Sequence, residues 1–366
     1  MKINVTRSSL PPFEEYCKEI SSLWETRWLT NHGEKYSTLC EMIKDYLGCD
    51  NVVLYSNGHA ALENAIAIYN FPKGSEIITT PFTFVSTANA IVRNGLIPRF
   101  CDIKEDDYTI DPKKIEKLIN NRTVAILGVH VYGNVCDVLA IKNIARKYNL
   151  KVIYDAAHAF GVRYNKTSVS NYGDITMFSF HATKVFNTIE GGALTFADRS
   201  LEAELNCMKN FGLNNVGDCI YFGPNAKMNE FQAAMGICNI KYLDSNIKKR
   251  EKIVKHYIKR LSAVDRITIC SNQKCVSSNY SYFPVIFDTK SSRDKIKSKL
   301  EKNGIFTRKY FYPAVNEMDI YRKKFYDPTP IAHRISECVL TLPLFPDLSI
   351  EDVDNICDII IKEYGK

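Results

Sequence analysis

Apolar residues recur along this chain in two alternating patterns: short continuous runs, and stripes at helical spacing. The continuous runs fall at 52–55, 76–80, 98–102, 123–132, 151–154, 175–180 and 192–196. Most of these lengths suit strands that are buried on both faces. Amphipathic stretches lie between and around them. One begins at Pro11-Pro12 and reaches about Thr26, with Phe13, Tyr16, Ile20, Leu23 and Trp24 on one side. Proline is well placed at a helix start. Further helices are expected at 36–47, from the turn at Ser56 to about Tyr69, at 137–148 and at 201–212, with a short one ending at 115–119. A long helix reaches about Ser262 and breaks near 243–246. Strands alternating with helices predict an α/β fold built on a mostly parallel sheet flanked by helices. The pattern changes from about residue 250, with a strand expected at 280–287, a helix at 291–303, and a last helix after Leu342-Pro-Leu-Phe-Pro. We therefore expect a large domain over 1–245, N-terminal helical segment included, and a smaller C-terminal α+β domain over 246–366.

Composition narrows the class. The 366 residues are 45% hydrophobic, enough for a sizeable core. The net charge of +7 is spread out, and no basic run interleaved with aromatics appears, which argues against nucleic acid as a partner. A mild positive excess suits an anionic small substrate. No stretch of about 18 apolar residues occurs, so no membrane span is expected. The opening Met1-Lys-Ile-Asn-Val-Thr-Arg has no apolar signal core. The twelve cysteines are scattered without a Cys-x-x-Cys pair. They read as reduced thiols of a cytoplasmic protein, with no metal site expected. No Gly-x-Gly-x-x-Gly follows the early strands and no Gly-x-x-x-x-Gly-Lys-Ser/Thr is present, so nicotinamide and P-loop readings lose support.

The chemistry concentrates in residues 173–196, Gly-Asp-Ile-Thr-Met-Phe-Ser-Phe-His-Ala-Thr-Lys-Val-Phe-Asn-Thr-Ile-Glu-Gly-Gly-Ala-Leu-Thr-Phe. Two buried strands flank a polar loop that carries Lys184. A lysine next to the core can be desolvated, and desolvation turns its amine into a nucleophile able to form a Schiff base. A solvated surface loop is the commoner source of such a lysine. Gly191 and Gly192 are expected to let backbone approach a ligand closely. Upstream, Lys151-Val-Ile-Tyr-Asp-Ala-Ala-His places Asp155 at a strand end and His158 three residues later. A carboxylate at a strand end followed by a strand, a loop and a lysine suggests pyridoxal 5'-phosphate. That cofactor needs an acid at its pyridine nitrogen and an amine at its aldehyde. Ser56-Asn-Gly-His-Ala-Ala-Leu links a strand to a helix start, where free backbone N–H groups attract anions.

Asp155-Ala-Ala-His158 and Ser179-Phe-His-Ala-Thr-Lys184, at this spacing, closely resemble the sugar-nucleotide aminotransferases of the DegT/StrS family, fold-type I enzymes that use pyridoxal phosphate. The likeness runs from about residue 10 to 362. It implies that Lys184 bonds the cofactor and moves the proton, that Asp155 pairs with the pyridine N–H, and that His158 lies near the phenolic oxygen. Ser179 and the amides of Gly58 and His59 would hold the phosphate. The family usually has Gly-Thr where this chain has Gly58-His59, so a hydroxyl contact is missing, which a ring N–H of His59 could replace. Phe84, in Pro81-Phe-Thr-Phe-Val-Ser-Thr, occupies the place of the aromatic that stacks on the ring; an ordinary core phenylalanine is the other reading. Gly223-Pro-Asn-Ala-Lys-Met resembles the family's Gly-x-Asn-x-Arg-Met, which implies a homodimer with shared active sites, Asn225 reaching the neighbour's cofactor. Lys227 replaces the usual arginine, and the two are not equivalent at bidentate sites. Arg308 and Tyr310 are candidates for the substrate entrance. The region 11–47 lies near the sugar-nucleotide site in the resembled family; a helix pair that only packs is the other reading.

The reaction implied is transfer of the amino group of L-glutamate, leaving 2-oxoglutarate, to the C3 or C4 keto carbon of a dTDP-linked keto-6-deoxyhexose. Such sugars serve surface glycans such as the lipopolysaccharide O-antigen. The alternatives are a pyridoxal phosphate-dependent sugar-nucleotide dehydratase and a UDP-sugar aminotransferase. Dehydratases of this fold typically carry histidine in place of the lysine, and Lys184 is present.

Overall fold

The computed structural model describes residues 2–270 and 273–364, and is built on a seven-stranded sheet. Met1 and Lys366, the outer limits of the two expected domains, lie outside the described residues. The sheet comprises β1 (Val52–Tyr55), β2 (Glu76–Thr79), β3 (Ile97–Phe100), β4 (Thr123–Val129) and β5 (Lys151–Asp155). After a small excursion through β6 (Arg163–Tyr164) and β7 (Thr167–Ser168), it adds β8 (Ile175–Ser179) and β9 (Gly192–Phe196). The order across the sheet is β1-β9-β8-β5-β4-β2-β3. All pairs from β8 to β3 are parallel, whereas β9 is antiparallel to both β8 and β1. Six strands therefore point one way and β9 alone returns. Their carboxyl ends share one edge, which is where ligands bind in such sheets.

Alternate residues of each strand serve opposite faces. Leu54, Ile126, Val152, Tyr154 and Phe178 pack with Leu39 and Ile43 of the helix Glu34–Leu47 and with Ile141 of the helix Val138–Tyr148. Val53, Tyr55, Ala125, Leu127, Ile153 and Ile175 pack on the other side with Ala61, Leu62 and Ala65 of the helix Gly58–Ala67. The expected α/β sheet covered by helices is what the chain forms.

Some boundaries differ from expectation. β4 stops at Val129, not at residue 132: His130 leaves the extended conformation (ψ 66°) and a 3₁₀ turn follows over Val131–Gly133, with positive φ of 59° at Tyr132 and 91° at Gly133. The helix expected at 201–212 ends at Met208. The long helix is broken as expected, but at 241–242 and not at 243–246, giving the helices Glu230–Ile240 and Leu243–Leu261.

A second, antiparallel sheet has the order β10-β12-β13, from β10 (Ile267–Ile269), β12 (Phe283–Phe287) and β13 (Val339–Leu342). The intervening β11 (Val276–Ser277) pairs with β6 instead. The strand expected at 280–287 thus begins at Phe283. Helices Leu243–Leu261, Lys290–Lys302 and Ile350–Tyr364 share an apolar cluster with this sheet. Ile3 belongs to the same cluster: its N–H donates to Gly304 O at 2.9 Å, and Phe306 N–H donates to Ile3 O at 2.7 Å. The 245/246 boundary falls inside the helix Leu243–Leu261. No helix among the described residues is long and apolar enough to cross a membrane.

Candidate active site

A cavity of about 330 Å³ opens at the carboxyl edge of the large sheet. Nine of the ten candidate residues line it: Gly58, His59, Phe84, Asp155, His158, Ser179, Lys184, Arg308 and Tyr310. They converge because β1, β5 and β8 end side by side, with β9 beginning between β1 and β8. Asp155 sits opposite Val129 and Met177 in the ladder, and Gly192 opposite both Ser179 and Tyr55.

Lys184 stands in the loop of the β8–β9 hairpin. Phe180 N–H donates to Gly191 O at 2.8 Å and Thr188 N–H to Phe180 O at 2.9 Å, closing the loop on itself. Val185 and Phe186 are buried, and Phe186 stacks on Phe160 with centroids 4.6 Å apart. This anchoring holds the amine over the cavity, with Nζ 5.9 Å from the Tyr282 ring centroid. Burial pushes the Lys184 pKa down to about 8, against the opposing pull of Asp155 and Tyr310. The amine is thereby brought toward its nucleophilic, neutral form near physiological pH.

Asp155 is buried. Thr87 Oγ1 donates to its Oδ2 at 2.8 Å and Ala157 N–H to its Oδ1 at 3.0 Å. Burial raises its pKa; the hydrogen bonds from Ala157 and Thr87 and the charge of Lys184 pull the other way. Among the described residues Asp155 forms no ion pair. His158 accepts from Tyr132 N–H at Nδ1, 3.0 Å, so its remaining ring proton is on Nε2. Burial, with Lys184 adding to it, holds its pKa well below the usual histidine value, so it meets the cavity as a neutral donor.

The turn expected to bind an anion sits at the N-terminus of the helix Gly58–Ala67. Asn57 caps this helix, its side chain accepting from Ala60 N–H at 2.9 Å. A Cβ on Gly58 would lie 2.9 Å from Ser179 Cβ, and one on Gly192 would lie 2.7 Å from Gly58 N. Gly58 is required by the close approach of Ser179, and Gly192 by the backbone of Asn57 and Gly58. This corrects the expectation for Gly191 and Gly192: they make room for the chain itself, Gly191 for the Thr188 side chain and Gly192 for the anion turn. The ring nitrogens of His59 are both engaged, Nδ1 with Ser86 Oγ and Nε2 with Glu63 Oε1.

A model of the DegT/DnrJ/EryC1/StrS aminotransferase family matches residues 13–361. The chain belongs to this family. A dTDP-4-amino-4,6-dideoxy-D-glucose transaminase of Shigella dysenteriae is 40% identical over 98% of both chains. One of the same name from Escherichia coli is 38% identical over 98% of both. Among solved structures, DesI, determined in the presence of its TDP-sugar product, superposes with a TM-score of 0.94 at 28% identity, over 100% of this chain and 94% of that one. Helicobacter pylori PseC, an aminotransferase of pseudoaminic acid biosynthesis, superposes with a TM-score of 0.94 at 27% identity over the whole of both.

Pyridoxal 5'-phosphate is the cofactor of this aminotransferase, and the cavity fits it. A buried carboxylate without a cation partner matches a protonated pyridine nitrogen. A lysine amine of lowered pKa matches the aldehyde, and free amides at a helix start match the phosphate. Phe84 is 57% exposed and lines the cavity, an apolar ring face left open for a flat ligand. Asn225 is the candidate the cavity does not include: it is exposed and bridges to Asn210 through the backbone. The structure also adds residues that the sequence reading missed. Thr87, which fixes Asp155, stands three residues beyond Phe84 in a segment already singled out. Tyr282, beside Lys184, comes from just before β12 in the distant C-terminal part, and no local pattern announces it.

Proposed function

We propose that this aminotransferase moves the amino group of L-glutamate to the C4 keto carbon of a dTDP-linked 4-keto-6-deoxyglucose. The observation that carries the reading is the pair of dTDP-4-amino-4,6-dideoxy-D-glucose transaminases at 40% and 38% identity over 98% of the chain. A transaminase named for the 3-amino galacto sugar is more distant, at 30%. In this reading residues 1–245 form the cofactor domain, and 246–366 form the domain that supplies Tyr282, Arg308 and Tyr310 to the cavity.

Pyridoxal phosphate supplies the electron sink when bound. Asp155 would pair with its pyridine N–H and keep it protonated. Gly58, His59 and Ser179 would surround the phosphate, Phe84 would cover the ring and His158 would donate from Nε2. Lys184 removes a proton from the α-carbon of glutamate in one half-reaction and delivers a proton to the sugar carbon in the other. Arg308 has no carboxylate partner among the described residues; its guanidinium donates to the Tyr310 hydroxyl at the cavity mouth, where it is free to meet an anionic substrate.

A homodimer completes the site. The segment before Asn225 displays Phe211, Val216, Ile220 and a fully exposed Phe222. Apolar surface of this kind is commonly covered by a partner, and a second copy seated there would carry Asn225 toward the neighbour's cavity. The unbridged buried thiols of Cys40, Cys101, Cys136, Cys238, Cys338 and Cys357 suit the cytoplasm, and O-antigen or other lipopolysaccharide sugars are the proposed destination.

The test is product analysis after incubation with pyridoxal phosphate, L-glutamate and either the 4-keto or the 3-keto dTDP-6-deoxy sugar. A 4-amino sugar with stoichiometric 2-oxoglutarate is the expected result. Amination of the 3-keto sugar alone, or loss of a hydroxyl without amination, overturns the assignment.

A further inference from the structure

We propose that in this chain Ser86 donates the hydroxyl hydrogen bond to the cofactor phosphate, held for that purpose by a relay from Glu63 through His59. The inference rests on the reading of the cavity as a pyridoxal phosphate site.

His59 stands at the anion turn where threonine is usual in the resembled motif, so the turn itself offers no hydroxyl. Its imidazole does not simply stand in for one. Nδ1 lies 2.8 Å from Ser86 Oγ and Nε2 lies 3.2 Å from Glu63 Oε1. Glu63 is held in turn by Arg93. Ser86 opens the helix Ser86–Arg93, two residues after Phe84, and lines the same cavity as Gly58 and Ser179. The relay therefore ties the phosphate turn to the element that carries the ring-covering aromatic.

The direction of the His59–Ser86 hydrogen bond sets where the hydroxyl points. When Nδ1 accepts, the Ser86 proton is turned to the ring and away from the cavity. In the proposed arrangement Nδ1 donates to Ser86 Oγ, and the Ser86 proton is left to donate into the cavity. A phosphate there only accepts, and so favours that arrangement. Among the described residues, the lysine and arginine lining the cavity, Lys184 and Arg308, stand beside Tyr282 and Tyr310.

The test titrates cofactor-free protein with pyridoxal phosphate and, separately, with pyridoxal, which lacks the phosphate, following the absorbance of each. Losing a hydrogen bond to a charged group predicts that Ser86→Ala raises the Kd for pyridoxal phosphate roughly 10- to 100-fold. The Kd for pyridoxal stays within about twofold. His59→Thr puts a hydroxyl back on the turn, so Ser86→Ala made in that background costs little, a non-additivity that a general loss of stability would not produce. Three results overturn the proposal: an unchanged affinity of Ser86→Ala for pyridoxal phosphate, an equal loss for both ligands, or an equal cost in the His59→Thr background. A wild-type protein that binds neither ligand overturns instead the cofactor reading beneath it, and this proposal with it.

Discussion

Asp155→Asn separates the catalytic contribution of one charge from the shape of its side chain. The site is built to tolerate the swap. The asparagine carbonyl can keep the bond from Ala157 N–H, and its NH₂ would then face Thr87 Oγ1. That hydroxyl has an alternative acceptor in Thr83 Oγ1, 2.9 Å away. What is lost is the negative charge at the pyridine nitrogen. An adjacent opposite charge moves a pKa by about 1–3 units, or roughly 1.4–4 kcal/mol. Because Asp155 is buried, bonded only to neutral donors and without an ion pair among the described residues, we expect the upper part of that range. If all of it is expressed in the transition state, the rate falls by about 100- to 1000-fold. The assay is a single turnover of the cofactor-loaded protein with L-glutamate, followed by absorbance. Stability gives a second, opposite readout. Burial raises the Asp155 pKa above its unfolded value, so the folded state holds more protons than the unfolded one as the pH climbs through that window, and stability falls. Above that window the whole penalty is present in the cofactor-free protein. Asp155→Asn removes it and is expected to raise the melting temperature of that form while lowering activity. A folded, loaded variant that turns over at the wild-type rate would refute the assignment of Asp155.

Lys184, with its pKa lowered to about 8, is neutral above that pH. The rate at which cofactor-free protein captures pyridoxal phosphate is therefore expected to rise with pH and level off above about 8; a rise that continues to pH 10 would show an ordinary lysine. Lys184→Ala chains mixed with Asn225→Ala chains should regain activity at one of the two sites of the heterodimer, and no recovery in a verified heterodimer would place Asn225 outside the neighbour's site. Lys209 is fully buried, donating to Tyr36 Oη at 2.6 Å and Leu54 O at 3.1 Å, with burial lowering its pKa to about 7. Its unfolded value is higher, so its destabilising effect is complete below pH 7 and fades toward pH 10.5; the stability difference between Lys209→Met and wild type should shift in favour of wild type as pH rises across that window, and a constant difference in thermal unfolding would contradict this.

What the sequence disclosed follows from how far apart the interacting residues stand along the chain. A buried strand ending in Asp155, and a strand, loop and strand carrying Lys184, are local patterns, and the parallel ladder then brings their ends together without further information. The limits of β4 were harder to read: the apolar run continues past Val129, and it is the turn beginning at His130 that ends the strand. β13 is four residues long and stops at Pro343, too short to stand out beside the helix Pro330–Cys338 that precedes it. The His59 substitution shows the same limit from the functional side. Read alone, it is a lost hydroxyl with an imidazole in its place. Read with Ser86, 27 residues away, and Glu63, one helical turn on, it becomes, on the proposal above, a change of which side chain would meet the phosphate. Position in sequence proposes where an anion would bind, and in the proposal above the donor is set by a contact between two helices. A substitution at a binding turn is therefore best judged by what its side chain touches, since the group that compensates for it belongs to a different element.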